Sequence, residues 1–134
     1  AVVRSAAKAM RGVGGSIVLF SSSAARIGLA SHEAIAAAKA GVVGLTLAAA
    51  TSYASKNVRV NAIAPGLVRT PLTKRIWENP KSTASSRAMH ALGRLGEPED
   101  IASLVAWLLD PANSWVTGQV IGVDGGLGSL RTRG

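Results

Sequence analysis

Cysteine is missing from all 134 residues. A disulfide scaffold and a cysteine-ligated metal centre are therefore excluded, no metal site is expected, and a reducing compartment, the cytoplasm, is the default expectation. Acids are few, 7 against 15 Lys and Arg, which leaves a formal charge of +8. Aromatics are scarcer still: Phe20, Tyr53, Trp77, Trp107 and Trp115 make up 4% of the chain. Without stacking platforms or a block of like charge, the basic balance does not imply a nucleic-acid partner. The charge is also uneven, with ten cations against Glu33 alone up to Trp77, then three cations and five acids from Glu78 to Asp110. Long hydrophobic runs are lacking too. The most apolar stretch, Ala34 to Ala50, is alanine-rich and contains Lys39, so it is expected to fall short of the roughly 20 strongly apolar residues of a membrane span.

What is present is material for a core, 48% hydrophobic residues with 16% charged, as one globular domain requires. The chain opens on Ala1, and Ala1 to Met10 has the pattern of an amphipathic helix already under way, neither signal nor transit peptide; a truncated start is expected. The glycines of Gly12 to Gly15 end that helix, and Ser16 to Phe20 is a short apolar run typical of a buried parallel strand. After a loop to Ala30, Ser31 is expected to cap a long helix with Glu33 in its first turn, running to about Ser55. Alanine is the best helix former, and only Gly41 and Gly44 weaken the segment, each by ~1 kcal/mol. Their spacing puts them on one face, against the sheet or a partner helix.

Asn57 is expected as a left-handed cap, followed by a strand from Val58 to Ile63 that ends at Ala64-Pro-Gly66. From Leu67 to Leu95 the chain is polar, with Pro71, Pro80 and a Ser/Thr-rich stretch, and predicts a lid-like excursion with one or two short helices. Pro98 then suits a first helical position. Ile101, Leu104, Val105, Leu108 and Leu109 form an apolar stripe, Asp110-Pro111 stops the helix, and Gln119 to Val123 is a third strand before the Asp124-Gly-Gly126 turn and a polar tail, Gly128 to Gly134. Strands separated by helices predict an α/β fold with a parallel, doubly wound sheet.

The glycines of Gly12 to Gly15 are not a phosphate loop, because they follow a helix and open a strand, the reverse of the dinucleotide fingerprint. The informative residues lie elsewhere. Ser21 to Ser23 ends the first strand and Pro65-Gly66 follows the second, which is the edge where open parallel sheets bind ligands. Lys39, in the first turns of the long helix, can point back to it.

In that order, Gly15-Ser-Ile-Val-Leu-Phe-Ser-Ser22, Ala36-Ala-Ala-Lys-Ala-Gly-Val-Val-Gly-Leu-Thr46, Val58-Arg-Val-Asn-Ala-Ile-Ala-Pro-Gly66, Arg94-Leu-Gly-Glu-Pro-Glu-Asp-Ile-Ala102 and Thr117-Gly-Gln-Val-Ile-Gly-Val-Asp-Gly-Gly126 resemble the short-chain dehydrogenase/reductases. The chain is similar to the bacterial ketoacyl-carrier-protein reductases of that family. The resemblance implies the C-terminal part of a Rossmann-like, doubly wound sheet, with residues 1–134 forming half of one domain. Its three strands would be the fifth to seventh in a family order 3-2-1-4-5-6-7. The dinucleotide-binding half, with the glycine-rich turn, the residue choosing NAD or NADP and an asparagine of the catalytic site, is outside these residues. An open strand edge with apolar helix faces beside it follows, an aggregation liability.

By resemblance, Ser22 steadies a substrate carbonyl and Lys39 binds the nicotinamide ribose, while Pro65, Gly66, the Val68 backbone and the Thr70 hydroxyl hold the nicotinamide end. The catalytic tyrosine belongs thirteen residues after Ser22 and four before Lys39, and that position is Ile35. A phenol with an ordinary pKa of ~10 can be tuned for proton exchange, whereas a sec-butyl group has no proton to give. His32, about one turn away, is the candidate substitute because imidazoles exchange protons near neutrality. Tyr53 is dismissed at roughly 27 Å along the helix, at ~1.5 Å per residue. Asn61 is expected to be structural, Arg69, Lys74 and Arg75 to be solvated charges of the lid, and the tryptophans to pack, Trp77 alone facing a substrate. Two readings follow. One is an NAD(P)-dependent oxidoreductase of small-molecule carbonyls or alcohols, an incomplete copy inactive as this chain. The other is a catalytically silent relative acting in cofactor binding or oligomer formation. The family implies a homo-oligomer, with no nucleic acid and no membrane.

Overall fold

The computed structural model describes residues 1–131. Its elements are α1 (Val2–Ala9), β1 (Gly15–Phe20), α2 (Glu33–Tyr53), β2 (Val58–Pro65), α3 (Lys74–Trp77), α4 (Pro80–Met89), α5 (Pro98–Leu109) and β3 (Val120–Val123). The three strands are parallel in the order β1-β2-β3. Gly15 to Phe20 pair with Val58 to Ile63, and Ala62 to Pro65 with Val120 to Val123. This is the expected α/β architecture, with the lid excursion carrying α3 and α4.

Successive side chains of a strand point to opposite faces, and the two faces of this sheet are covered differently. Ile17, Val58 and Val60 pack with Ala7, Ala49 and Ala50, so α1 and α2 share one face. On the alternate positions Ser16 Oγ donates to Leu108 O (2.9 Å), as does the Arg59 guanidinium (2.8 Å). That fixes α5 on the other face, with Leu108 fully buried. β2, the central strand, is buried from Val60 to Ala64.

Local chemistry sets the element ends. Gly12 and Gly14 have positive φ, +78° and +82°, and a Cβ on Gly14 would lie 2.8 Å from Asn57 O, so the turn interpretation of these glycines holds. Asn57 is left-handed, φ +56°, as expected, after a 3-10 turn over Ala54–Lys56 that continues α2. At the other end of α2 the expectation fails. Ser31 has φ +61° and does not cap; His32 occupies the N-cap position without a side-chain bond to the helix. Leu109 is 47% exposed and leaves the α5 stripe, and Trp115, at 99% exposed, does not pack. The supposed tail folds back, Gly128 N–H donating to Asp124 Oδ2 (3.0 Å), and the tail's residues 132–134 lie outside those described.

The expectation about length and polarity also changes for α2. With its 3-10 extension it covers Glu33–Lys56 at a mean hydropathy of 1.6 over its most apolar window, long and apolar enough to cross a membrane by those measures. Here it lies on the sheet through Thr46, Ala49 and Ala50, its only buried residues. Apart from α2's own backbone and the adjoining residues, no atom of the described residues comes within 4 Å of a Cβ placed on Gly41 or Gly44, so those glycines do not face the sheet.

Two predictions test this scaffold. Buried Asn61 donates through Nδ2 to Val116 O (2.9 Å) and accepts from Gln119 N–H through Oδ1 (3.0 Å), tying the loop before β3 to the central strand. Asn61→Ala leaves a buried donor and acceptor unmatched and is expected to cost about 2–4 kcal/mol in urea unfolding; an unchanged midpoint contradicts the assignment. At the α5 N-terminus, the Arg94 guanidinium (2.7 and 2.8 Å) and the Glu97 N–H (2.8 Å) hold the Asp100 carboxyl well below the usual carboxylate range. A folded-state pKa lowered in this way stabilises above the unfolded value and is lost as pH falls through the folded one. The stability gap between the native chain and Asp100→Asn should therefore be flat above pH ~4 and close only below it. A gap unaltered at pH ~2 would contradict this.

Candidate functional site

The parallel arrangement brings the carboxyl ends of all three strands, and the turns that follow them, to one edge. At the end of β1, Ser21 Oγ donates to Lys39 O (2.9 Å) and Lys39 Nζ donates to Phe20 O (3.0 Å). These two bonds clasp the first turns of α2 to the strand end and bring the ammonium to the edge. Ser22 is extended, and its Oγ accepts from Ala24 N–H (3.1 Å) as the N-cap of the 3-10 turn Ser23–Ala25. That bond uses a lone pair and leaves the hydroxyl hydrogen for another acceptor. Ser23 Oγ donates to Asp124 Oδ2 (2.7 Å), and the same carboxylate accepts from the Gly126 and Gly128 N–H groups, 3.0 Å each. A buried charge is thereby satisfied by three donors that join the turn after β1 to the turn after β3.

An apolar cleft of about 490 Å³ opens on this edge, with Ser22, His32, Ile35, Pro65 and Gly66 in its wall. Leu29, Leu67, Ile76, Met89 and Leu127 supply much of the rest, the excursion contributing Ile76 and Met89. Ile35 is 47% exposed there. His32 is solvent-exposed and its Nδ1 donates to Ala30 O (2.7 Å), which leaves Nε2 to other partners.

The segment after β2 is held on several sides. Gly66 N–H donates to Val123 O (3.1 Å), Gly96 N–H donates to Leu67 O (2.9 Å), and Arg69 N–H donates to Gly96 O (2.9 Å). Val68 is buried, and among the described residues its N–H has no acceptor in hydrogen-bonding range. The Thr70 hydroxyl accepts from Thr73 N–H (3.3 Å) at the entrance to α3. Trp77 Nε1 donates to Thr70 O (3.0 Å), and this tryptophan is absent from the cleft wall, where Ile76 stands instead. Arg69 pairs with Glu97 (2.7 Å) and Lys74 with Glu78 (3.5 Å), both at the surface.

Sequence reasoning missed the Ser23–Asp124 bond and the buried His90, which joins α4 to the loop after β2. The Asp124-Gly-Gly126 turn was visible, but its partner lies 101 residues away.

An open, parallel, Rossmann-like sheet with Ser22, Lys39 and the Pro65–Thr70 loop gathered at its carboxyl edge defines an α/β domain of the dinucleotide-binding class. The comparisons make this specific. The family described as enoyl-(acyl carrier protein) reductase matches residues 1–128. The chain is 47% identical over 113 residues to 3-oxoacyl-(acyl-carrier-protein) reductase FabG of Thermotoga maritima, a match covering 84% of this chain and 45% of that protein. Among solved structures, a short-chain type dehydrogenase/reductase from Mycobacterium ulcerans superposes with a TM-score of 0.89 at 43% identity, over 97% of this chain and 48% of the other. ElxO with NADP bound gives 0.88 at 32% identity, over 96% and 52%. The chain belongs to the short-chain dehydrogenase/reductase family. It spans about half the length of the curated relatives it matches.

A backbone test of the edge is available at Gly66. A Cβ there would lie 2.6 Å from His90 Nε2 and 3.0 Å from Asp124 Cα. Gly66→Ala is expected to cost about 1–3 kcal/mol by overpacking, read as a lowered thermal midpoint. Full stability in this variant would mean that the loop after β2 is not packed as described.

Proposed function

We propose that this chain is the C-terminal half of one short-chain dehydrogenase/reductase domain, the half that takes the substrate carbonyl and the nicotinamide end of NAD or NADP. The observation that carries the reading is the single cleft shared by Ser22, Ile35, Pro65 and Gly66, with the Lys39 ammonium at the same strand edge. ElxO, whose structure holds NADP, supports the cofactor class. The residues present fit that group. Lys39 Nζ has donors beyond the one used on Phe20 O, the Val68 N–H is without an acceptor among the described residues, and Thr70 offers a hydroxyl. When bound, the nicotinamide supplies or accepts a hydride.

In this reading Ser22 donates its hydroxyl hydrogen to a carbonyl oxygen, Lys39 binds the ribose hydroxyls, and Val68 and Thr70 fix the nicotinamide end. The apolar wall suits a small, uncharged carbonyl or alcohol. Proton exchange has no obvious agent. Ile35 occupies the position of the family tyrosine, and His32, with Nε2 uncommitted, stands on the same cleft wall. The chain is therefore read as inactive by itself. The second reading, a silent relative serving cofactor binding or oligomer formation, is favoured by Ile35 and by the exposed Leu45 and Leu47 of α2, with Gly41 and Gly44 open beside them. A homo-oligomer in the cytoplasm fits both.

The test is NAD(P)H oxidation with a panel of ketones. This chain alone should show no turnover, and measured reductase activity would overturn the inactive reading. Joined to a glycine-rich amino-terminal half, Ile35→Tyr should raise the rate by ~10²-fold or more, the usual worth of a placed general acid. Activity with Ile35 in place that disappears in His32→Ala would instead assign the proton to His32 and remove the silent reading.

A further inference from the structure

We infer that His90 is a positioning residue that fixes the backbone of the loop after β2 through a specific neutral tautomer. It follows α4 directly, is 4% exposed, and forms part of the wall of two cavities, the apolar cleft and a neighbouring one of about 450 Å³ lined also by Arg94 and Asp124. Both ring nitrogens are engaged. His90 Nδ1 donates to Ser86 O (2.6 Å), and Leu67 N–H donates to His90 Nε2 (3.1 Å). Carbonyls only accept and backbone N–H groups only donate, so the arrangement requires the proton on Nδ1 and a bare lone pair on Nε2.

The consequence reaches the candidate site. Leu67 lies between Gly66 and Val68, and its other backbone group, the carbonyl, is held by Gly96. With both Leu67 groups fixed, the peptide planes leading to Val68 are fixed too, and the Val68 N–H keeps its direction. The absence of a Cβ on Gly66 is what allows the imidazole to reach Leu67. An apolar residue of similar size would fill the space at position 90 and leave the part-buried Leu67 N–H without an acceptor. The excursion is thus a clasp as well as a cover: α4 carries an acceptor to the loop, and the ring is oriented by the last turn of its own helix. This role rests on the reading of Val68 and Thr70 as the nicotinamide-facing positions.

Nitrogen-15 NMR of the unsubstituted chain tests it first. The ring shifts of His90 should report protonated Nδ1 and unprotonated Nε2, with a coupling from the Leu67 amide nitrogen to Nε2 across the hydrogen bond. The opposite tautomer overturns the inference, and this measurement needs no variant to fold. Amide exchange then separates a clasp from general packing. In His90→Ala, Leu67 N–H should exchange ~10-fold faster or more, as loss of one hydrogen bond implies, while Val60 N–H in the central strand keeps its rate. His90→Gln, whose Oε1 offers an acceptor in place of Nε2, should restore protection. Equal acceleration at Leu67 and Val60 in the alanine variant, or no rescue by glutamine, overturns the proposal. With the chain joined to a glycine-rich amino-terminal half, NADH is the binding probe, followed by saturation transfer to its nicotinamide protons. Affinity should fall ~10-fold in His90→Ala and recover in His90→Gln, and equal affinity in all three forms overturns the positioning role. If no form binds NADH, the nicotinamide reading of the loop falls, and the tautomer and exchange results still decide whether His90 holds Leu67.

Discussion

Because β2 pairs with a parallel strand on each side, the turns after β1, β2 and β3 must emerge together at one edge of the sheet. Everything of chemical interest follows from that constraint. Parallel strands cannot be joined by tight hairpins, so long crossovers must lie across the faces; here they carry α2 on one side and α5 on the other. Each crossover returns the chain to the amino end of the next strand and leaves its carboxyl end free to bear a functional turn. The buried positions of β2 therefore serve the site indirectly. Asn61, in the middle of that strand, spends its amide on the loop entering β3 and so places the third turn relative to the other two.

At the edge itself, polar groups rather than apolar packing determine the geometry. The Asp124 carboxylate is buried with one hydroxyl and two backbone N–H donors, which ties residues 23, 126 and 128 around a single charge. A buried carboxylate lacking those donors would be strongly penalised, so the two turns are held in one relation or the charge is unsatisfied. The loop after β2 lies beside them, with Gly66 against the Asp124 backbone. This satisfied polar arrangement supplies the framework on which the apolar cleft is built.

Much of this fold was legible in the residues. The apolar run Ser16 to Phe20, the alternation of Val58 to Ile63 and the run Gln119 to Val123 mark three strands because strand patterns are local, and Pro98 and Asn57 mark helix ends because their backbone preferences are intrinsic. Ser31 misled for the same reason. A serine before an alanine run has the chemistry of a cap, but the turn into α2 puts it at positive φ and hands the N-cap position to His32. Trp115 has the character of a packing residue, yet it is 99% exposed, because the residue type does not say which side of a loop faces water. The spacing of Ser22, Ile35 and Lys39 was legible because all three lie on one strand end and one helix. The bonds from Ser23 to Asp124 and from Leu67 to His90 were not, since each pairs residues far apart in sequence whose meeting depends on the whole sheet.

The three positions of that spacing differ in what else they do. Ser22 caps the 3-10 turn after β1, and Lys39 closes the end of the same strand through Phe20 O. Both would be retained by a chain that had lost its chemistry, because removing either loosens the attachment of a turn or of α2. Ile35 has no such second task. Its side chain is half-exposed on the cleft wall, and α2 is anchored well away from it, through Thr46, Ala49 and Ala50 and through the Lys39 clasp. A proton donor can thus be gained or lost at position 35 at little cost to the fold, whereas Ser22 and Lys39 are held by structure first. The presence of serine and lysine therefore carries less information about activity than the identity of the residue between them.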